Sequence, residues 1–480
     1  MNHNQNASSI RNMVNSAKPP LEGSEKFELN TLEQLESASP ITINLPEILR
    51  RFFRLAAINI LSNLMVPLSG LLSVAFLGHL TEIRHLTGVT LSTILFNYIY
   101  RTLGFLRMGT TGMTAQAVGR DDKETVILVG LRNGLLALGM GLLILLLQYP
   151  VEQLGFAILS GAKEVESSGI DYYETRIWAA PATLLNFVVI GWFLGREQSG
   201  KVLLMSIIGN GVNVLFDYLF IVRLGWESAG AGMATTIGQY LMLITGMILV
   251  ATETKWQEVQ FLFGKILDTN AIKAAVTLNG NIFVRTFAFL SAFAIFTNLS
   301  AVFSTDILAE NALLLQVVTL AIYVIDGLAF ATESLAGIFF GQKAYQQLIV
   351  LLKIACSTSL ATGITLALIF IIFPNAMFGL LTNHDEIIQL IDGYVWWLFP
   401  ILGLGSLAFI LDGYFLGLTS GAILRNAALI ATLIGFSPIA VIAWHTQSNH
   451  LLWLALASFM FVRVITLLIQ VPKTFIKDEE

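Results

Sequence analysis

The stretch LIVLLKIACSTSLATGITLALIFIIF, residues 348–373, decides the fold class of this chain. Its only charged residue is Lys353, and none of the residues from 354 to 373 is charged. About 20 apolar residues in a helix cross the ~30 Å hydrocarbon core of a bilayer. The stretch is continuously apolar, whereas a barrel strand alternates apolar and polar residues, and a backbone in lipid must pair its own polar groups. We therefore predict a transmembrane helix here.

Similar stretches occur along the whole chain, which is 55% hydrophobic and 12% charged. Soluble domains carry roughly 25% charged residues, so this composition favours a membrane protein. The other apolar stretches are 50–78, 87–118, 125–149, 170–195, 201–222, 228–251, 271–298, 307–341, 388–418, 421–445 and 450–472. The sequence thus predicts an all-α membrane protein with about twelve transmembrane helices.

The positions of Lys and Arg predict the orientation of these helices. Alternate loops are basic, and loops rich in Lys and Arg stay in the cytoplasm. The basic residues of these loops are Arg120, Lys123, Arg196, Lys201, Lys255, Lys265, Lys273, Lys343 and Arg425. We expect a multi-pass protein of the bacterial inner membrane with both termini in the cytoplasm, and the opening residues lack the pattern of a secretory signal.

Five histidines fall in or near the opposite loops, where surface roles are expected: His79, His85, His384, His445 and His450.

The two halves of the chain resemble each other at an offset of about 222 residues. GTTG at 109–112 aligns with ATES at 331–334, and FLG at 193–195 aligns with FLG at 415–417. A six-helix repeat inserts twice in the same orientation, which predicts two lobes related by a pseudo-two-fold axis along the membrane normal. The predicted organisation is a polar cytoplasmic tail (1–45), a six-helix lobe (46–251), a cytoplasmic connector (252–270), a second six-helix lobe (271–472) and a short tail (473–480).

Several motifs resemble those of the multidrug and toxic compound extrusion (MATE) family. GFLRMGTTGMTAQA at 104–117 is similar to the second span of its DinF-like branch, and PLSG at 67–70 with LGHL at 77–80 is similar to the first span. Further similar stretches are Gly209–Asp217, Asn281–Thr286, Ile325–Gly327 with Glu333, and Leu411–Gly413. The resemblance implies two six-helix lobes around a central cavity, and antiport driven by protons or sodium as the lobes rock.

One position departs from the branch that the chain resembles. Relatives of that branch usually carry an acidic residue shortly before the Leu-Gly-His of the first span, and Ser73 stands at that position here. A serine cannot carry a proton in that role. Either Asp217 couples the cation alone, or the second half couples it, or ordinary proton coupling has been lost.

Charged residues inside a bilayer are costly and tend to mark functional cavities. Asn213 and Asp217 lie four residues apart on one helix face, where a carboxylate beside an amide can hold a proton or a sodium ion. A static hydrogen bond between helices is the alternative for Asp217.

The second half carries Asp326, Glu333, Asp412 and Arg285 within its spans. They predict a polar network that is either a second cation-linked site or a static cluster that specifies packing.

Two residues of the second span have open roles. Arg107 is expected to pair with a carboxylate, either Asp217 or one across the lobes. Gln116 either lines the cavity or bonds a helix end. Ser73 is a further cavity candidate.

The predicted function is export of small organic compounds, cationic or amphipathic, by a secondary transporter; the alternative is a flippase or exporter of lipid-linked precursors or metabolites. No catalytic set stands out, so no enzyme activity is expected. We expect no cofactor apart from the coupling ion, H⁺ or Na⁺, and no structural metal. The expected partners are a small-molecule substrate and membrane lipid, without nucleic acid, and the protein is expected to be a monomer.

Overall fold

The structure is a computed structural model that describes residues 44–159, 162–379 and 391–475. The predicted tail 1–45 lies outside the described residues apart from Asn44 and Leu45, as do His384 and the last residues of the tail 473–480. The described residues of the first half form nine α-helices followed by a short connecting one: α1 Leu45–Gly78, α2 Ile83–Leu103, α3 Phe105–Gly119, α4 Lys123–Leu146, α5 Gln148–Leu159, α6 Lys163–Arg176, α7 Ala180–Gly195, α8 Ser199–Asp217, α9 Glu227–Ala251 and α10 Trp256–Leu262.

The second half repeats this helical organisation. Its described helices are α11 Thr269–Phe303, α12 Thr305–Gly341, α13 Tyr345–Ile372, α14 Pro374–Phe378, α15 Leu398–Gly417, α16 Gly421–Ile430, α17 Ser437–Thr446 and α18 Asn449–Leu468. Short π-helical segments follow α8 and α16, at Tyr218–Arg223 and Ala431–Phe436.

Eleven helical segments within the described residues are long and apolar enough to span a membrane. The predicted second span, 87–118, is instead two helices, α2 and α3, that meet at Gly104. The Gly104 N–H bonds the Arg101 carbonyl, three residues back, so the regular α-helical pattern is interrupted there. With α2 and α3 taken as one broken span, the count agrees with the predicted twelve.

The duplication is visible in the turns that end matching helices. Asp121 and Lys343 both adopt left-handed φ angles, 55° and 57°, just after α3 and α12. Glu197 and Thr419 do the same, at 57° and 53°, just after α7 and α15. Left-handed φ is uncommon for residues other than glycine, so two matched pairs at the offset of the sequence motifs support a repeated fold.

The lobes meet through helices that carry the polar residues of both halves. In the first lobe α3 packs against α7 and α4, and in the second α12 packs against α15 and α13. Across the interface, α3 packs on α12, α11 and α15, and α2 packs on α11. The interface therefore brings residues near 100–120 next to residues near 280–340 and 410–420.

Candidate functional site

Three side-chain hydrogen bonds join α1 to α8. Ser62 and Ser206 share a bond of 2.7 Å, Ser69 donates to Asn213 Oδ1 at 2.7 Å, and Ser73 donates to Asp217 Oδ2. All three pairs have the same sequence separation, 144 residues. The two helices are thus held in one register, and Ser73 stands directly against the carboxylate.

Asp217 is fully buried, with 0% of its surface exposed. Its Oδ1 has no hydrogen-bond partner among the described residues, and no Lys, Arg or His there forms an ion pair with it. A buried carboxylate without a counter-charge is costly unless it binds a proton or a cation. Asn213 supplies a neighbouring amide oxygen on the same face, one turn earlier. This pair has the chemistry of a site for a proton or a small cation.

A second group lies within the second lobe around Asp412. Arg285 and Arg463 both contact the Asp412 Oδ2 atom, and all three side chains are at least nine-tenths buried. The structure thus brings together Arg285 and Asp412, both singled out from the sequence. Arg463 was missed, although a single arginine inside the apolar stretch 450–472 was the signal that could have found it. The static-cluster interpretation fits Asp412 better than a cation site, because two arginines already neutralise it.

Arg107 pairs across the lobes, with Glu333. Arg107 Nη1 lies 3.2 Å from Glu333 Oε2, and the guanidinium stacks over the Phe330 ring at 3.9 Å. Of the two partners proposed from sequence, Asp217 is therefore not the one found. The Glu333 side chain is 1% exposed, and its Oε1 has no partner among the described residues. The pair joins α3 of the first lobe to α12 of the second.

Asp326 is the carboxylate of this region that lacks a direct partner among the described residues. It lies two turns before Glu333 on α12 and interacts electrostatically with Arg107, Arg285 and Arg101 without an ion-pair contact. The residue is partly accessible, whereas Glu333 and Asp412 are buried. No ion pair among the described residues therefore neutralises this carboxylate directly.

Gln116 bonds a helix end of the opposite lobe. Its amide Nε2 donates to the Gly417 carbonyl at 3.1 Å and to Thr419 Oγ1 at 3.1 Å. The lobes approach closely here, because a Cβ on Gly112 would lie 2.2 Å from the Leu416 carbonyl oxygen. The lobes are therefore closed at the end where α3, α12 and α15 terminate.

At the opposite end a cleft of about 520 Å³ opens between the lobes. Apolar and polar side chains of α2 and α11 line it, together with Leu308 of α12, and Arg101 is the one charged residue of this lining among the described residues. The lining includes Asn97, Tyr98, Arg101, Phe293, Thr297 and Asn298.

One histidine lies elsewhere than expected. His85 is 3% exposed, and its ring nitrogens lie 3.0 Å from Ser228 Oγ and 3.0 Å from Glu227 Oε2. The start of α2 packs against the start of α9, so this loop-adjacent residue is buried and the surface prediction for it was wrong.

The two helical lobes are in contact at one end, are separated by a cleft at the other, and enclose buried charges. This arrangement is typical of a polytopic membrane transporter of the two-lobe class. The chain belongs to the MatE family, whose profile matches residues 59–219 and 282–442. The two matched stretches are the two halves of the repeat. Membership agrees with the resemblance seen in the motifs.

Individual relatives agree with this assignment. The chain is 32% identical to DNA damage-inducible protein F of Escherichia coli over 422 residues, covering 87% of this chain and 91% of the relative. It is 22% identical to the probable multidrug resistance protein NorM of Thermotoga maritima over 351 residues, covering 72% and 75% of the two chains. The first match supports the DinF-like branch.

A solved structure shares the fold. It is described as the outward-facing conformation of a multidrug resistance MATE family transporter of the MOP superfamily, with a TM-score of 0.82 and 18% identity, and the match covers 92% of this chain and all of the other. This similarity concerns the fold alone.

Proposed function

We propose that this protein exports small organic compounds, cationic or amphipathic, by antiport against protons or sodium ions. The observation that carries the proposal is the fully buried Asp217 carboxylate, bonded to Ser73 and left without a basic partner among the described residues. A group in this state changes its energy strongly when a cation binds or leaves. Asp217 with Asn213 is thus the first candidate for the coupling site, and Asp326 the second.

The arrangement of the lobes supports an alternating-access cycle. The lobes are in contact at the end that carries the basic loops and are separated by a cleft at the other end. If the basic loops lie in the cytoplasm, the cleft faces outward. Cation binding at Asp217 favours one packing of α1 on α8, and substrate leaves the cleft. Antiport needs only that the two ligands favour different states of one protein. We place the protein in a bacterial inner membrane, as a monomer with cytoplasmic termini.

A second candidate is an exporter of anionic metabolites or a flippase of lipid-linked precursors. One observation favours it: Arg101 is the charged residue among the described residues lining the cleft. A guanidinium in a partly desolvated cleft attracts carboxylates and phosphates more than cations. The nearby Asp326 offsets this preference, because the two charges interact.

Transport into proteoliposomes tests both candidates. Imposed proton and sodium gradients are applied separately, with a fluorescent organic cation or an organic anion as substrate. The first proposal expects accumulation of the cation against its gradient with one of the two ions. Accumulation of the anion alone would favour the second candidate, and the absence of gradient-driven transport for either substrate would contradict both.

A further inference from the structure

A second cleft between the lobes lies at the closed end and is separate from the substrate cleft. Its polar chamber, of about 210 Å³, is lined by Gln116, Arg120, Thr125, Arg132 and Asn133 of the first lobe and by Thr419 of the second, among others. Its apolar limb, of about 340 Å³, runs between α4 and α11. Arg132, Asn133 and Ala275 line both parts, so we describe them together as the amphipathic cleft.

Asn133 is the unusual residue of this cleft. It is 1% exposed, yet neither its Nδ2 nor its Oδ1 has a hydrogen-bond partner among the described residues. An unpaired buried amide costs roughly 1–3 kcal/mol per group in proteins. Because Asn133 lies in the wall between the chamber and the limb, a polar group bound there would satisfy it. The residue therefore indicates a ligand at the junction.

The chamber is positively charged. Arg132 is fixed by the connector, since its guanidinium donates to the Lys265 carbonyl at 2.7 Å and the Ile266 carbonyl at 3.0 Å. Two nearby acids are occupied, because Asp122 caps α4 through Thr125 and Glu124 pairs with Lys265 at 2.5 Å. The Thr125 bonds also hold the pKa of Asp122 below its usual value. The two basic side chains of the chamber, Arg120 and Arg132, thus suit an anion.

The limb has the opposite character. Leu135, Leu143 and Val276 line it and are each more than half exposed, so they face lipid when the helices lie in a bilayer. From Leu135 to Leu143 the helix rises about 12 Å, a length that accommodates much of an acyl chain. A ligand that fills the whole cleft therefore needs an anionic head and an apolar tail.

We propose that the amphipathic cleft binds an anionic phospholipid. Its phosphate lies by Arg120, Arg132 and Asn133, and one acyl chain lies along α4. Basic pockets between helices on the cytoplasmic side select anionic head groups. The connector supports this depth, because its exposed large apolar side chains are typical of a helix at the membrane interface: Trp256, Phe261, Phe263 and Leu267. Both lobes line the cleft, so a bound lipid stabilises the closed arrangement of this end.

Two glycines of α4 give a matched test of the apolar limb. An added Cβ meets no atom within 4 Å at either Gly139 or Gly134. Gly139 lines the limb, whereas Gly134 does not and lines a neighbouring apolar groove instead. Delipidated protein in detergent is titrated with phosphatidylglycerol, and bound lipid is counted by native mass spectrometry. Gly139→Leu is expected to weaken binding roughly tenfold, as for two lost methylene contacts, and Gly134→Leu to leave it unchanged.

The head-group end is tested by charge. Arg120→Gln with Arg132→Gln is expected to weaken phosphatidylglycerol binding roughly 30-fold, whereas Lys343→Gln, in the matching loop of the second half, retains it. Phosphatidylcholine is expected to bind the wild-type protein no better than phosphatidylglycerol binds the double variant. Equal binding by the wild type, the double variant and Gly139→Leu would overturn the proposal. Inorganic phosphate that displaces phosphatidylglycerol at millimolar concentration would also overturn it, since the site would then recognise an anion alone. Transport is not measured, so the outcome is independent of the proposed function.

Discussion

The hydroxyl of Ser73 on α1 donates a hydrogen bond to the carboxylate of Asp217 on α8. In the branch that the chain resembles, an acidic residue usually stands at the position of Ser73. Here the first span supplies a donor to a single carboxylate, so the sequence departure has a structural counterpart. The proposed cation site therefore contains one acid, Asp217, which accepts a hydrogen bond from Ser73.

Ser73→Ala is expected to slow gradient-driven export roughly tenfold, because hydrogen bonds to charged groups are worth about 1.5–3 kcal/mol. The control is Ser62→Ala, which removes the hydroxyl that bonds Ser206 in the same helix pair. It should cost about 1 kcal/mol of stability and leave the export rate within about twofold of wild type. Export rates in proteoliposomes check the prediction, and equal losses for the two variants would speak against a role of Ser73 at the site.

The ion pair between Arg107 and Glu333 is expected to control lobe association. Glu333→Gln leaves the Arg107 charge unpaired in a buried interface, a change that costs about 3–5 kcal/mol. Changing both residues, Arg107→Met with Glu333→Leu, should recover much of that loss because no charge is stranded. Thermal unfolding of the purified protein measures both effects. If the double variant loses as much stability as the two single substitutions together, the two side chains do not interact.

Asp412 and Asp326 are expected to respond differently to the same change. Asp412→Asn strands Arg285 and Arg463 and should destabilise the second lobe by about 3–5 kcal/mol. Asp326→Asn removes a carboxylate without a direct partner among the described residues, so stability should change by less than about 1 kcal/mol while export falls. Unfolding temperature and export rate are measured for each variant. A stable, active Asp412→Asn protein would contradict the static role given to Asp412.

The close approach at Gly112 predicts that a single methyl group opens this end of the lobe interface. Gly112→Ala places a Cβ 2.2 Å from a backbone oxygen of the other lobe, whereas Gly134→Ala meets nothing within 4 Å. Spin labels at Lys123→Cys and Gln346→Cys, in a Cys356→Ser background, report the separation of the lobes. A longer-distance population is expected for Gly112→Ala and not for Gly134→Ala. Identical distance distributions would show that the interface absorbs the methyl group without opening.

The sequence predicted the helical class and the repeat well, because apolar length and matching motifs are local properties. The left-handed turns at Asp121 and Lys343 follow the aligned motifs 109–112 and 331–334 and have the same offset of 222 residues. The break at Gly104 was not predicted, since a single glycine inside an apolar stretch is compatible with a continuous helix.

The pairing of charges was harder to predict than their presence. Arg107 was expected to bind a carboxylate, yet its partner lies 226 residues away, and the choice depends on how the lobes dock. Arg463 was not predicted as a partner of Asp412, because the contact depends on how α18 packs against α15. His85 is buried by tertiary packing that no local pattern describes.

The central claim is that Asp217 carries the coupling cation, and export by Asp217→Asn protein in proteoliposomes tests it most directly. Glu310→Gln is the control, because Glu310 is another buried acid, 4% exposed, on the second lobe. The account predicts that Asp217→Asn folds, binds substrate and no longer responds to an imposed proton or sodium gradient, while Glu310→Gln transports as the wild type does. Gradient-driven export by Asp217→Asn at the wild-type rate would contradict the account.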